Sequence, residues 1–344
     1  MLMIKYPTPL RKGNKIAVTA PSSGVEQSLH TLLTKAKKNV EKEGFYVIEG
    51  DTIWTESKSK STSKDKRAKE LTTFLTDDTI SAIIPPWGGQ FSMEVLSLID
   101  WDRIKELPPK WILGYSDIST LSFTYTTITG NASAHGTNFI ELSAPEWDEL
   151  TARWVDVLGC SVNEEVVQYS SEYYQSSWER TFKNPGTGFY FDEKTEWKNL
   201  QGEDQIEFSG RLLGGVINTL QILIGTPFDK VKEFISEYTQ KEGVVWYLET
   251  VGMSAAEIYR ALWQMKLNGW FSNTNGILLG RATGYRPTKD FFLEDALTEV
   301  FGDVIPVIYD ADIGHMPPQN ILVNGAFANV NLINGRGTIK MKYI

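Results

Sequence analysis

Cysteine is nearly absent: Cys160 is the only one in 344 residues. No intrachain disulfide can form, so the fold does not depend on an oxidising compartment. Histidine is almost as scarce, with three residues, His30, His135 and His315. Without a CxxC, an HExxH or an Asp-rich calcium loop, three scattered imidazoles make a poor metal site, and neither a metal nor a cofactor is expected. There is no G-x-G-x-x-G after the first strand and no Walker A loop, which argues against a dinucleotide or NTP enzyme. An excess of positive charge is missing too. The net charge is −9, whereas a polymeric nucleic acid needs a basic face; a single pocket can still differ from the surface average and take a small nucleotide. No uncharged apolar run approaches the roughly 20 residues of a membrane span, and MLMIKYPTPLRKGNK lacks the apolar core of a signal peptide. The expectation is a cytoplasmic protein without a membrane partner.

What is present reads as two α/β units. Lys15 to Pro21, Phe45 to Ile48, Ser81 to Ile84 and Trp111 to Leu113 are apolar strands. Amphipathic helices alternate with them, such as the one carrying Val25, Leu29, Leu32, Leu33, Ala36 and Val40. That order predicts a parallel, flavodoxin- or Rossmann-like N-terminal domain over 1–163, with ligands beyond the carboxyl ends of its strands. From 164 to 207 the chain is polar and rich in Ser, Tyr and Glu. It reads as a connection that carries some structure, including a hairpin-like Gly188–Phe191, and Trp178 and Trp197 in it are candidate stacking platforms. A C-terminal α/β domain with a β-rich core follows over 208–344. There Gly210–Gly215 is read as opening a helix, Val244–Leu248 as a strand ending at Glu249, and Ser254 with Glu257 as a capping box. Val304–Tyr309 is read as another strand, and a terminal hairpin turns at Asn334-Gly335.

The stretch Pro108–Phe123 organises the first domain. A short buried strand runs into Gly114-Tyr115-Ser116-Asp117, and a helical run begins at Ile118. Strand, tight turn with a serine, then helix is the layout of a nucleophile elbow, although Ile118 stands where G-x-S-x-G has its second glycine. Taken alone, Ser116-Asp117 reads better as a helix cap, whose side chain satisfies free amides of the first turn. A nucleophilic Ser116 needs a base, and His135 and His315 both stand near strand exits. Glu249 is placed to orient either imidazole, with Asp310 and Asp312 as competitors. Gly88-Gly89 after a strand lets backbone N–H groups approach an oxyanion, and the N–H of Asp117 would be a second donor.

These pieces together resemble the LD-carboxypeptidase and microcin-immunity group of serine peptidases over nearly the whole chain. The resemblance rests on Ala20-Pro21-Ser22-Ser23, Gly88-Gly89, Gly114–Asp117, Gly210–Gly215, Leu248-Glu249 and Gly314-His315. It implies a Ser-Glu-His triad with Ser116 as nucleophile, Glu249 as orienter and His315 as base. It also implies an oxyanion hole at Gly89 and Asp117, a site between the domains, and a homodimer. The implied substrate is a small peptide or an aminoacyl-nucleotide. The aromatic connecting segment favours microcin-immunity-like cleavage of a peptidyl- or aminoacyl-nucleotide amide over trimming of a murein tetrapeptide; a nucleotide-sequestering protein without turnover is the further alternative. Gly88, Trp178, Trp197, Asn218 and Arg281 are the candidate substrate contacts. Gly214-Gly-Val-Ile-Asn218 departs from the Gly-Gly-Asn usual in the family.

Overall fold

A computed structural model describes residues 2–344. β1 (Lys15–Val18), β2 (Tyr46–Glu49), β3 (Ile80–Ile83) and β4 (Trp111–Ile112) form a parallel sheet in the order β2-β1-β3-β4. The helix His30–Lys42 buries Leu32, Leu33, Ala36 and Val40, the stripe that a 3.6-residue period predicts. Lys64–Thr76 starts at Ser63, whose hydroxyl accepts the Lys66 N–H. β5 (Ser133–His135) continues from the edge of this sheet through a bridge between Leu113 and Ala134.

The helix after β4, Ile118–Thr129, differs from the amphipathic element expected: every residue except Ile128 is buried. It is enclosed because the second unit packs on its far side. Phe123 lies 5.4 Å, centroid to centroid, from Trp270, and the helix passes so near Gly215 that a Cβ there would stand 2.8 Å from that of Ser119. Two of its buried hydroxyls are spent within the helix: Thr127 and Thr129 donate to the carbonyls of Phe123 and Tyr125.

The second unit contains β6 (Glu165–Tyr169), β7 (Tyr173–Tyr174), β8 (Glu193–Lys194), β9 (Lys198–Asn199), β10 (Gln205–Val216) and β11 (Val244–Glu249). β12 (Thr274–Gly280), β13 (Val307–Ala311), β14 (Leu322–Asn324), β15 (Phe327–Ile333) and β16 (Arg336–Lys342) complete it. Its eight-stranded sheet runs β6-β16-β15-β10-β11-β12-β13-β9, with β10 to β13 parallel and the flanks antiparallel. The mixed α/β architecture is the one expected. The Asn334-Gly335 turn, both residues at positive φ, and the Ser254–Glu257 capping box stand where the sequence puts them.

The structure carried by segment 164–207 includes β6 and β9, the two outer edges of the C-terminal sheet. Two local readings need correction. Gly188–Phe191 lies outside any strand. Gly210–Gly215 belongs to a strand, not a helix start: Gly214 and Gly215 pair in register with Tyr247 and Leu248. A Cβ at Gly214 would fall 1.7 Å from the Tyr247 carbonyl oxygen, so close strand packing is what the glycine serves. β14 pairs with β5, which links the two units and puts His135 opposite Leu322.

Candidate active site

Glu249 is the last residue of a parallel strand, and Ser116 and His315 lie in loops past the carboxyl ends of two others, where open α/β sheets hold ligands. Ser116 follows β4 and sits at φ 64°. That region is strained for a residue with a Cβ, and the strain lifts the side chain clear of the turn as in a nucleophile elbow. Asp117 occupies the cap position of the following helix, but its side chain does not cap it. Instead its Oδ2 accepts the Ser92 N–H at 2.8 Å and the Ser22 hydroxyl.

Gly88 and Gly89 close over this turn. A Cβ on Gly88 would stand 2.5 Å from that of Ser116 and 2.9 Å from the Asp117 nitrogen; one on Gly89, at φ 144°, would strike the hydroxyls of Ser22 and Ser23. Only glycine permits that approach. Within the described residues the N–H groups of Gly89 and Asp117 donate to no protein acceptor, an arrangement suited to a developing negative charge.

Glu249 ends β11 and is completely buried. Its Oε2 accepts the His315 ring at Nδ1 (2.7 Å) and the His315 backbone N–H (3.0 Å). The carboxylate reaches the backbone because Gly314, at φ 86°, leaves room: a Cβ there would fall 1.6 Å from Oε2. Burial pushes the carboxyl up, but the His315 imidazole, helped by His135, outweighs it and holds the group down at about 2. The reverse holds at His315. Burial lowers its pKa, while the charge and hydrogen bond of Glu249, with a smaller pull from Glu141, raise it above the usual histidine value. Its side chain keeps 17% exposure.

The His315 ring stands edge-on to Tyr115, the neighbour of Ser116, with centroids 4.8 Å apart. Tyr115 donates its hydroxyl to Glu141. Burial lifts Glu141 to about 7, against the Tyr115 and Asn138 hydrogen bonds that lower it. Sequence reasoning missed Tyr115 and Glu141; the aromatic residue directly before the candidate serine was the available signal.

His135, the rival base, lies beneath the site. It is fully buried, with Nε2 3.3 Å from Glu249 Oε1 and Nδ1 3.3 Å from the Ser119 hydroxyl. His30 bonds the Val25 carbonyl outside the site. Trp178 belongs to it: its indole N–H donates to the His315 carbonyl at 2.6 Å, and its ring stacks on Phe182 and meets Phe189 edge-on.

Two expected substrate contacts are structural instead. Trp197 is buried, with its N–H 2.9 Å from Asp312 Oδ2. Arg281 is buried and paired with Asp312, bonds the Met316 carbonyl at 3.0 Å, and lies over the Tyr174 ring. Asp312 also takes the Ser171 N–H at 2.9 Å. This ionic hub anchors the loop that carries His315, so the guanidinium is not free to grip a ligand. Asn218 spends its amide on both the carbonyl and the N–H of Val251, at 2.9 and 3.1 Å, steadying the turn after Glu249. Asp310, the other rival orienter, pairs with Lys198 at 2.8 Å.

The N-terminal model of the LD-carboxypeptidase family matches residues 16–136 and its C-terminal model matches 209–330. The chain belongs to the LD-carboxypeptidase family. It is therefore a serine peptidase by family. Its relatives include the microcin C7 self-immunity protein MccF of Escherichia coli, 25% identical over 98% of this chain and 96% of that one. A Bacillus subtilis protein named as a murein peptide carboxypeptidase is 24% identical over 94% of this chain and 91% of its own. A solved MccF in complex with glutamyl sulfamoyl guanosine superposes with a TM-score of 0.80 at 22% identity, covering both chains completely. That last likeness speaks to the fold.

Proposed function

We infer that this peptidase works by acyl transfer to Ser116. His315 takes the Ser116 proton at Nε2, since Nδ1 is committed to Glu249. The alkoxide attacks the scissile carbonyl, and the N–H groups of Gly89 and Asp117 hold the oxyanion. His315 then returns the proton to the leaving amine, and water releases the acyl group. The observation that carries this reading is the Glu249–His315 pair, buried, short and set beside the strained Ser116 turn, where the N–H groups of Gly89 and Asp117 are unused within the described residues. Each lost oxyanion donor should cost roughly 100- to 1000-fold in turnover.

For the substrate we favour an aminoacyl-nucleotide amide, as in microcin immunity. Trp178 supports it: an indole fixed to the His315 backbone, inside a cluster with Phe182 and Phe189, can stack on a base at the mouth of the site. A murein tetrapeptide is the competing substrate, since a relative carries that name. The family reading brings a homodimer with it; among the described residues no helix is long and apolar enough to cross a membrane.

Incubating the protein with an aminoacyl sulfamoyl adenosine and, separately, with a murein tetrapeptide, and reading products by mass spectrometry, tests both parts. Release of the sulfamoyl adenosine by the wild type and not by Ser116→Ala is expected. Release of only the terminal D-amino acid would move the substrate to murein. Equal turnover by Ser116→Ala would end the mechanism, and tight binding without turnover would favour a sequestering protein.

A further inference from the structure

Glu249 has two oxygens, and the acyl-transfer reading uses only one. Oε2 carries both His315 contacts. Oε1 is buried with no aligned hydrogen bond, and so is His135 Nε2. The two face each other at 3.3 Å, and neither has another partner within the described residues. A carboxylate oxygen and an imidazole nitrogen left unpaired in the same dry space would each be costly, and each is the only group able to relieve the other.

The other side of the ring decides which nitrogen carries the proton. Ser119 Oγ is 3.3 Å from His135 Nδ1 and already accepts the Val216 N–H at 3.3 Å. Its own hydrogen is therefore free to go to Nδ1, which leaves Nε2 as the protonated, donating nitrogen. The donors then run in one direction, from Val216 N–H to Ser119, from Ser119 O–H to His135, and from His135 Nε2–H to Glu249. The ring is held between Tyr115 and Tyr247, with centroids at 6.2 and 5.3 Å. Ser119 is one helical turn past Ser116, and Val216 is the register partner of Glu249.

We propose that His135 is a positioning residue: a neutral imidazole, fixed as its Nε2–H tautomer by Ser119, that donates to Glu249 Oε1 and so aims Oε2 at His315. Through it, the domain that carries the serine grips the carboxylate supplied by the other domain. The inference rests on the acyl-transfer reading. The charged and titratable groups around it are Glu249, His315, Tyr115 and Tyr247, with Glu141 behind Tyr115.

The test has two arms. In the first, the rate of serine labelling by a fluorophosphonate is followed against pH. His135→Phe keeps the bulk and removes the donor; His135→Gln keeps an N–H near the Nε2 position. We expect His135→Phe to label about 10- to 100-fold more slowly, the range for a hydrogen bond to a charged group. Its acid limb should move to higher pH, because a Glu249 charge freed from one donor holds the proton on His315 more firmly. His135→Gln should recover most of the rate. Unchanged rate and unchanged limb in His135→Phe would overturn the proposal, whereas absence of wild-type labelling, or labelling of Ser116→Ala, would instead sink the triad itself.

The second arm uses the wild type and does not depend on a variant folding. With only three histidines in the chain, ring-nitrogen NMR of histidine-labelled protein resolves each tautomer. His135 should be protonated at Nε2 alone near neutral pH, and Ser119→Ala should disturb that signal. Protonation of His135 at Nδ1 alone would contradict the inference.

Discussion

Two glutamates flank the same imidazole and end in opposite states. Glu249 is completely buried yet held at about 2, because two imidazoles and a backbone amide converge on it. Glu141, on the other side of Tyr115, is pushed up to about 7 by burial, which the Tyr115 phenol and the Asn138 backbone amide only partly offset. Burial acts in the same direction on both. What separates them is direct contact with an imidazole: Glu249 is hydrogen-bonded to the His315 ring, whereas Glu141 feels it only through Tyr115 and at a distance. Pairs of carboxyls driven apart in this way mark a division of labour: one stays ionised in hydrogen-bonded contact with His315, and the other is pushed up to about 7 without touching the ring.

The contrast breaks most visibly at Glu249. Glu249→Gln keeps the shape and removes the charge, and hydrolysis should fall by about 10,000-fold in kcat, as expected when the orienting acid of a triad is neutralised. A fall below tenfold would leave the two glutamates equivalent.

Gly314→Ala attacks the same contact from the other partner. A Cβ overlapping Oε2, at a φ of 86°, must push the carboxylate off the His315 loop. A stability loss of about 1–3 kcal/mol in urea unfolding and a turnover defect nearly as deep as that of Glu249→Gln are expected; wild-type turnover would show the contact to be incidental.

Glu141→Gln should be mild in rate, under about tenfold, since no proton passes through it. Its effect belongs to pH. The Glu141 anion raises His315 slightly, so removing it should move the acid limb of kcat/KM to lower pH. The wild-type limb itself should lie above the ordinary histidine value of 6.5. Stability gives the opposite signs for the two groups. Glu141, raised from 4.5 to about 7, favours the fold below pH 4.5 and loses that contribution as pH rises through 7. Glu249, lowered from 4.5 to about 2, favours it above pH 4.5 and loses that contribution as pH falls toward 2. Urea midpoints of Glu141→Gln and wild type should therefore diverge between pH 5 and pH 8.

The sequence made some of this visible and hid the rest for physical reasons. Ser116 and Glu249 could be singled out because strand ends are written in local apolar runs. The Gly88-Gly89 pair was visible as chain punctuation. The choice between His135 and His315 was not, because it depends on β5 pairing with β14 across a long separation, and on Glu249 facing both rings. Trp197 and Arg281 were misjudged for one shared reason: Asp312 consumes the indole N–H and the guanidinium, and no spacing rule announces a buried hub. Gly210–Gly215 was misread because glycines that admit a neighbouring strand look like glycines that open a helix.

In the proposed mechanism His315 serves Ser116 while Glu249 holds it. The most direct measurement is the intact mass and peptide map of the protein after fluorophosphonate treatment at pH 8, for the wild type and His315→Ala. One adduct on Ser116 in the wild type, with the rate lowered by at least about 1000-fold in His315→Ala, is the predicted result. An unlabelled wild type, an adduct elsewhere, or a His315→Ala protein that labels at the wild-type rate would contradict it.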